Sequence, residues 1–386
     1  MKSLALTVLF NLYVCGTLVG QTLPADYYFP LPTEKLELVN SEELAFRVDT
    51  VARGLDTPWG LAFLPNGSVL ITERAGKLRI VRNGTLQQDS ISGMPEVYAN
   101  GQGGLLDIGL HPEYENNGWI YMTYSNPGEE GAHTAIMRTR LNGNSLIDQE
   151  VLFAAEPFTE KRQHFGSRIV FDKDQYLYFS IGDRGEKDNA QDLSEYGGSI
   201  IRLHDDGRVP SDNPFVKTSG ARPEIYSYGH RNPQGLAVHP ETGDIWSHEH
   251  GPRGGDEINI IRKGLNYGWP EISFGINYDG SVLTEHTEME GMESPLHQWT
   301  PSIAPSGMDF VWSDRYDGWK GNLFSGALAF QLINRNVIEN NQVIHEERML
   351  EGIGRIRNIK MGPDGFLYIL EENNGLIIRL LPEELK

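Results

Sequence analysis

One short pattern recurs six times along this chain: a turn residue followed by a strand of alternating large side chains. It appears as NGSVLITER (Asn66–Arg74), NGWIYMTYS (Asn117–Ser125) and DQYLYFSIGDR (Asp174–Arg184). It returns as GDIWSHEH (Gly243–His250), GNLFSGAL (Gly321–Leu328) and DGFLYILEENNG (Asp364–Gly375). Second apolar runs flank these, for example KLRIV (Lys77–Val81) and LIIRLL (Leu376–Leu381). Five are preceded by an apolar run that ends in a proline or aspartate turn: GLAFLP, DIGLHP, RIVFD, GLAVHP and IKMGP. Copies spaced roughly 45 to 80 residues apart, each enough for one four-stranded sheet, predict an all-β fold, a six-bladed β-propeller. The segment AFRVDTVARGL (Ala45–Leu55) reads as a strand whose natural partner is the last blade, so that the N-terminal strand closes the ring. A β-sandwich is the structural alternative, but it does not explain six like units.

Composition narrows the partners. With 39% hydrophobic and 10% aromatic residues the chain can bury a core, and Gly 43 with Pro 21 indicates many turns. A net charge of −20 excludes nucleic acid, whose phosphates require a basic face, and argues against docking on anionic lipid. Lys2, the apolar run Leu4–Val19 and the polar, proline-rich segment after it have the form of a signal peptide. Residues 1–20 are therefore expected to direct periplasmic or secreted localisation, the rival reading being an uncleaved anchor. Residues 21–44 read as an N-terminal extension and 45–386 as one catalytic propeller domain without a membrane span. Cys15 is the only cysteine, which leaves no disulfide to form.

Polar, glycine-rich motifs fall between the strands, where propeller loops converge on the central channel. They bring Gln102 (GQGGLL), His164 (QHFGSRIVFD), Asp183 and Arg184 (IGDRGEKDNAQD), Arg231 and Asn232 (SYGHRNPQGLAVHP), and Arg355 and Arg357 (RIRNIKMGPDG). The stretch His248–Pro270, HEHGPRGGDEINIIRKGLNYGWP, reads as one long loop after the strand-like Gly243–Trp246. Its acidic side chains and turn carbonyls suit a hard cation such as calcium. Each motif alone has a plainer reading: a lone histidine before a strand is usually a hydrogen-bonded structural group, and arginines two apart usually form a solvated face. His248 and His250 form an H-x-H pair without a third metal ligand at useful spacing.

Nine motifs in order give the chain a specific likeness. TPWGLAFLPNG, GQGGLLDIGLHP, HFGSRIVFD, GDRG, YGHRNPQGLA, EHGPRGGDEIN, GLNYGWP, IAPSGM and GRIRN…GPDG resemble the soluble quinoprotein sugar dehydrogenases, close to the aldose sugar dehydrogenase branch. The resemblance runs over roughly residues 50 to 381. It implies a six-bladed propeller that binds pyrroloquinoline quinone (PQQ) and Ca2+ and oxidises aldoses at C1 to lactones. By motif, His164 corresponds to the general base and Asp183 to the carboxylate that orients it. Gln102, Arg231, Asn232, Arg355 and Arg357 correspond to quinone-binding positions, with Tyr278 of GINYDG beside them. Gly251 and Pro252 correspond to carbonyl ligands of the calcium at the quinone, and Glu257 and Tyr267 to a second, structural calcium.

Two positions depart from the pattern: Gln163 stands where the glucose-specific branch often has an acid, and Ala329 where several relatives have a cofactor-binding lysine. The implied partners are a small aldose and a separate electron acceptor, and no dimer-forming insertion is visible, so a monomer is expected. A calcium-dependent lactonase and a cofactor-less binding propeller remain the rival functions.

Overall fold

The computed structural model describes residues 28–383, and the leader-like segment lies outside them. Six antiparallel sheets make up the described chain. Each of the six recurrent motifs forms the second strand of one sheet: Val69–Glu73, Ile120–Gly128, Leu177–Ile181, Ile245–Glu249, Leu323–Ala327 and Leu367–Glu371. The first strands are Pro58–Phe63, Leu105–Leu110, Ile169–Phe171, Pro233–Val238, Pro305–Phe310 and Ile356–Met361. Each of these first strands contacts the next in order, and Ile356–Met361 returns to Pro58–Phe63, so the ring is closed around a central channel. The fold is a six-bladed propeller. We number the blades from one, starting at Pro58.

Blade packing follows from the strand period. Alternate residues of a strand point to opposite faces, so a blade with two neighbours needs apolar residues on both. The second strands accordingly read as fully buried runs, such as Leu177–Ile181 and Leu367–Glu371. A separate apolar cluster fills each gap, for instance Phe324, Ile333, Ile359 and Ile369 between blades five and six. Phe46, from the N-terminal strand, belongs to that same cluster.

Closure occurs where the sequence indicates. Ala45–Ala52 pairs antiparallel with Leu376–Pro382 on the outside of blade six, with Phe46 opposite Pro382 and Val48 opposite Leu380. The extension adds to this join: Leu38–Asn40 forms a fifth strand, and Tyr28 and Phe29 are buried between blades six and one. A buried ion pair fixes the join, because Arg379 places Nη2 2.6 Å from Asp49 Oδ2 and donates to the carbonyls of Phe29 at 3.0 Å and Pro30 at 2.9 Å.

One expectation is corrected. His248–Pro270 is not one loop: the strand begun at Ile245 runs on to Glu249, and Asp256–Ile261 returns beside it as the third strand of blade four. The polar residues His248, Glu249, Asp256 and Glu257 conceal the strand pattern because they sit at the ends of the two strands, where side chains meet polar groups. Only 250–255 and 262–270 are connecting segments.

Removing one member of a buried ion pair leaves the other charge uncompensated. Arg379→Ala is expected to lower unfolding stability by about 3–5 kcal/mol, read from urea denaturation; an unchanged midpoint contradicts the role given to this closure.

Candidate active site

The loops that lead into the inner strands meet at one mouth of the channel, and the candidate residues lie there. A cavity of about 290 Å3 is lined by Gln102, Asn232, Tyr278, Arg355 and Arg357, together with Trp59, Arg74, Gln234, Ala329 and Glu372. A cleft of about 530 Å3 is lined by His164, Asp183, Arg231, Pro252, Trp269 and Tyr278. Tyr278, 71% exposed, borders both, so the two spaces share a wall. A third space of about 10 Å3, room for one water-sized particle, lies behind Arg231, Gly251, Glu257 and Tyr267.

His164 precedes the inner strand of blade three, in a left-handed backbone conformation with φ 56°. Its backbone N–H donates to Gln102 Oε1 at 2.8 Å, so Gln102 acts on the loop that carries the histidine. Nδ1 lies 2.6 Å from Asp183 Oδ1, which leaves Nε2 as the free ring nitrogen. Asp183 Oδ2 accepts the indole N–H of Trp269 at 2.9 Å, and Oδ1 accepts the Gly185 N–H at 2.7 Å. Gly182 permits this approach, because a Cβ there would lie 2.4 Å from the His164 carbonyl oxygen.

Burial holds the His164 imidazole below its usual range, with Arg231 adding in the same direction and the Asp183 hydrogen bond opposing both. For Asp183, burial alone would raise the carboxyl; the bonds from His164 and Gly185 outweigh it and keep the group below the ordinary carboxylate value. The pair is therefore a neutral imidazole beside an ionised carboxylate at neutral pH.

The arginines of the cavity are partly compensated. Glu372 Oε2 accepts Arg357 Nε at 2.6 Å, and Glu372 Oε1 lies 3.4 Å from Arg355 Nε. Arg357 also reaches Gln234 Oε1 at 3.2 Å. Counting Arg74, three guanidiniums face one carboxylate, so the cavity retains positive charge. Arg231 turns toward the hairpin instead, donating to the carbonyls of Gly251 at 2.8 Å and His250 at 3.1 Å. Arg74, Gln234, Glu372 and Trp269 were not singled out in the sequence. RNPQG, TER and GLNYGWP contain three of them; Glu372 gained meaning only through distant partners.

His248 is buried and His250 half-buried, with Nε2 near the carbonyls of Gly307 (3.3 Å) and Pro305 (2.8 Å) in blade five. Burial pushes His248 down to about 3, so it is a neutral structural group. Glu257 stands opposite Glu249 in register, and both border the smallest space. Like charges directly opposed on a sheet are unfavourable, and burial together with Glu249 raises the Glu257 carboxyl above its usual range. Glu249 is held by His230 Nδ1 at 2.8 Å and the Arg231 N–H at 2.6 Å. The Tyr267 ring stacks on His230 at 4.6 Å, and its hydroxyl donates to the Ile260 carbonyl at 2.6 Å. Among the described residues, no three His, Cys, Asp or Glu side chains are grouped to hold a metal.

The family model for glucose/sorbosone dehydrogenases matches residues 55–379. This chain belongs to that family. The enzyme class expected from the sequence, a sugar oxidoreductase, is the class of the family. The aldose sugar dehydrogenase YliI of Escherichia coli is 43% identical over 343 residues, 87% of this chain and 92% of that one. The solved soluble aldose sugar dehydrogenase from Escherichia coli, in its apo-form, is similar with a TM-score of 0.84 at 40% identity, over 88% of this chain and 100% of that one. The PQQ-bound aldose sugar dehydrogenase of Streptomyces coelicolor is similar with a TM-score of 0.71 at 29% identity, over 88% of this chain and 98% of that one. Among the described residues no helix is long and apolar enough to cross a membrane.

In an NMR pH titration the His164 ring is expected to titrate below about 6.5, the ordinary imidazole value. Asp183 raises the imidazole through its bond and charge, so Asp183→Asn should move that titration lower still. A ring that stays protonated above neutral pH contradicts the assignment.

Proposed function

We propose that this protein oxidises aldoses at C1 to lactones, using pyrroloquinoline quinone with calcium, and that His164 is the general base. The observation that carries the reading is the arrangement at Tyr278. A neutral histidine with one free nitrogen, paired to an ionised carboxylate, lines a cleft that shares the Tyr278 wall with an arginine-lined cavity large enough for a small planar anion.

The donor set fits the groups the family uses. The quinone carries three carboxylates, suited to Arg355, Arg357 and Arg74, while Gln102, Asn232 and Tyr278 would offer polar contacts on the same cavity and Arg231 stands on the adjoining cleft. Ala329 leaves one wall of the cavity without a lysine, and Arg74 on the same cavity supplies charge in its place. A hard cation takes oxygen ligands, which Gly251 and Pro252 can offer through their carbonyls. The opposed Glu249 and Glu257, beside Tyr267 and an ion-sized space, are what a second calcium would relieve. When bound, the quinone supplies a hydride acceptor and calcium supplies Lewis-acid stabilisation of the charge that arrives there.

The residues of this chain handle the proton. His164 Nε2 takes it from the anomeric hydroxyl while C1 loses hydride, and Asp183 stabilises the imidazolium that forms. Trp269 fixes the second oxygen of Asp183, so the carboxylate cannot rotate away from Nδ1. Asn277 and Leu283 on the cleft wall border the space left for the sugar. Residues 1–20 would export the chain to the periplasm or beyond, and electrons would leave to a separate acceptor.

Purified protein mixed with pyrroloquinoline quinone and calcium is expected to gain aldose-dependent reduction of an artificial acceptor dye, and quinone absorbance should persist through gel filtration. His164→Ala should lower kcat by about 10²–10⁴ and keep the bound quinone. The absence of both activity and retained quinone would sink the proposal. Lactone hydrolysis with calcium alone would favour the hydrolase reading.

A further inference from the structure

We propose that Arg184 is a positioning residue that holds His164 in its left-handed conformation. This rests on the reading of His164 as the base. Arg184 follows Asp183 directly, and the two side chains grip the histidine from opposite directions. Asp183 takes the ring at Nδ1. Arg184 takes the backbone: Nη1 donates to the carbonyl of Gln163, immediately before the histidine, and Nη2 to that of Lys161 at 2.7 Å. Its guanidinium also lies 3.4 Å over the ring of Phe165, immediately after the histidine. Both neighbours of His164 are thus fixed by one planar group. A third carbonyl, Ala132 of blade two, accepts from Nη2 at 3.3 Å and anchors the guanidinium outside the loop.

The need for such a clamp follows from the backbone. A non-glycine residue at φ 56° occupies a region disfavoured by its own Cβ, and it persists only where the surroundings over-determine it. Without restraint, the peptide relaxes toward negative φ and carries the imidazole away from Asp183 and the cleft. The Gln102 amide holds the N–H of the 163–164 peptide and Arg184 holds its carbonyl, so the two side chains fix that peptide from opposite sides. Arg184 is only 1% exposed, too deep to meet a ligand, so its fork serves the loop alone. Lysine could not substitute, because a single ammonium lacks the rigid fork that spans two carbonyls while stacking on an aromatic face.

The test separates positioning from bulk stability and from the reading beneath it. Arg184→Met is compared with wild type in the quinone- and calcium-loaded enzyme, and Arg184→Lys, which keeps the charge without the fork, is read in parallel. Misplacing a reacting group by about 1 Å can cost about 10²-fold. We expect kcat per folded molecule to fall by about 10- to 100-fold in Arg184→Met, with KM for the sugar and quinone retention little changed, and a smaller fall in Arg184→Lys. Independently of activity, the Nδ1 proton that His164 shares with Asp183 should be visible by NMR in wild type and lost to exchange in Arg184→Met. If both variants merely melt earlier while kcat and that resonance stay as in wild type, Arg184 is a stability residue and the proposal fails. A wild type with the resonance but no dehydrogenase activity would instead overturn the functional reading and leave the clamp standing.

Discussion

The propeller is organised around the guanidinium of Arg168. This side chain, 2% exposed, comes from the inner strand of blade three and reaches every other blade. It donates to Gln234 O of blade four at 2.7 Å, Ser306 Oγ of blade five at 3.3 Å and Arg357 O of blade six at 2.6 Å. Asp107 of blade two is its counter-charge at 3.4 Å, and the Trp59 ring of blade one lies 3.9 Å from it. Burial pulls this arginine down to about 10, still protonated at neutral pH. A buried cation is tolerated only when its donors are met, so all six inner strands must arrive in one register to satisfy it. Two of its acceptors are carbonyls of Gln234 and Arg357, whose side chains line the candidate cofactor cavity. Ring order and cavity geometry therefore share one constraint.

The candidate active site lies at the channel mouth because the loops into the inner strands of different blades meet there. Each contributes side chains unremarkable by themselves: an amide from the loop into blade two, an imidazole from blade three's, an arginine and an asparagine from blade four's, and a pair of arginines from blade six. Packing the loops this tightly requires backbone conformations that ordinary residues resist, hence His164 and Arg184 at positive φ. Positive φ recurs at other turns of the propeller, for example Thr57, Ala304 and Phe330, but at His164 it falls on the proposed base itself.

Sequence reading reached the architecture because each second strand repeats the same event, a turn followed by residues buried on both faces. The closing strand was legible for a related reason: Ala45–Leu55 has strand character and no neighbour of its own. The site was legible through glycine-rich motifs falling at equivalent places in successive blades. What stayed hidden is whatever depends on which blade meets which. Arg168 looked like an ordinary strand residue, since its acceptor Arg357 lies 189 positions away. Glu372 sits in a turn after a strand, with nothing local to mark it as partner to both Arg355 and Arg357. The His248–Pro270 stretch was misread as a single loop because a polar strand end carries the composition of a turn; only the opposition of Glu249 and Glu257 across the hairpin shows why its carboxylates gather.

The central claim is that an aldose in the cleft beside Tyr278 would lose hydride from C1 to a bound quinone while His164 takes the hydroxyl proton. The most direct measurement compares turnover of the quinone- and calcium-loaded protein on an aldose deuterated at C1 with turnover on one deuterated only at other carbons. Slower oxidation confined to the C1-deuterated sugar, with lactone as product, is the result this account predicts. Equal rates in a single-turnover measurement of the chemical step, or a product oxidised at another carbon, would contradict it.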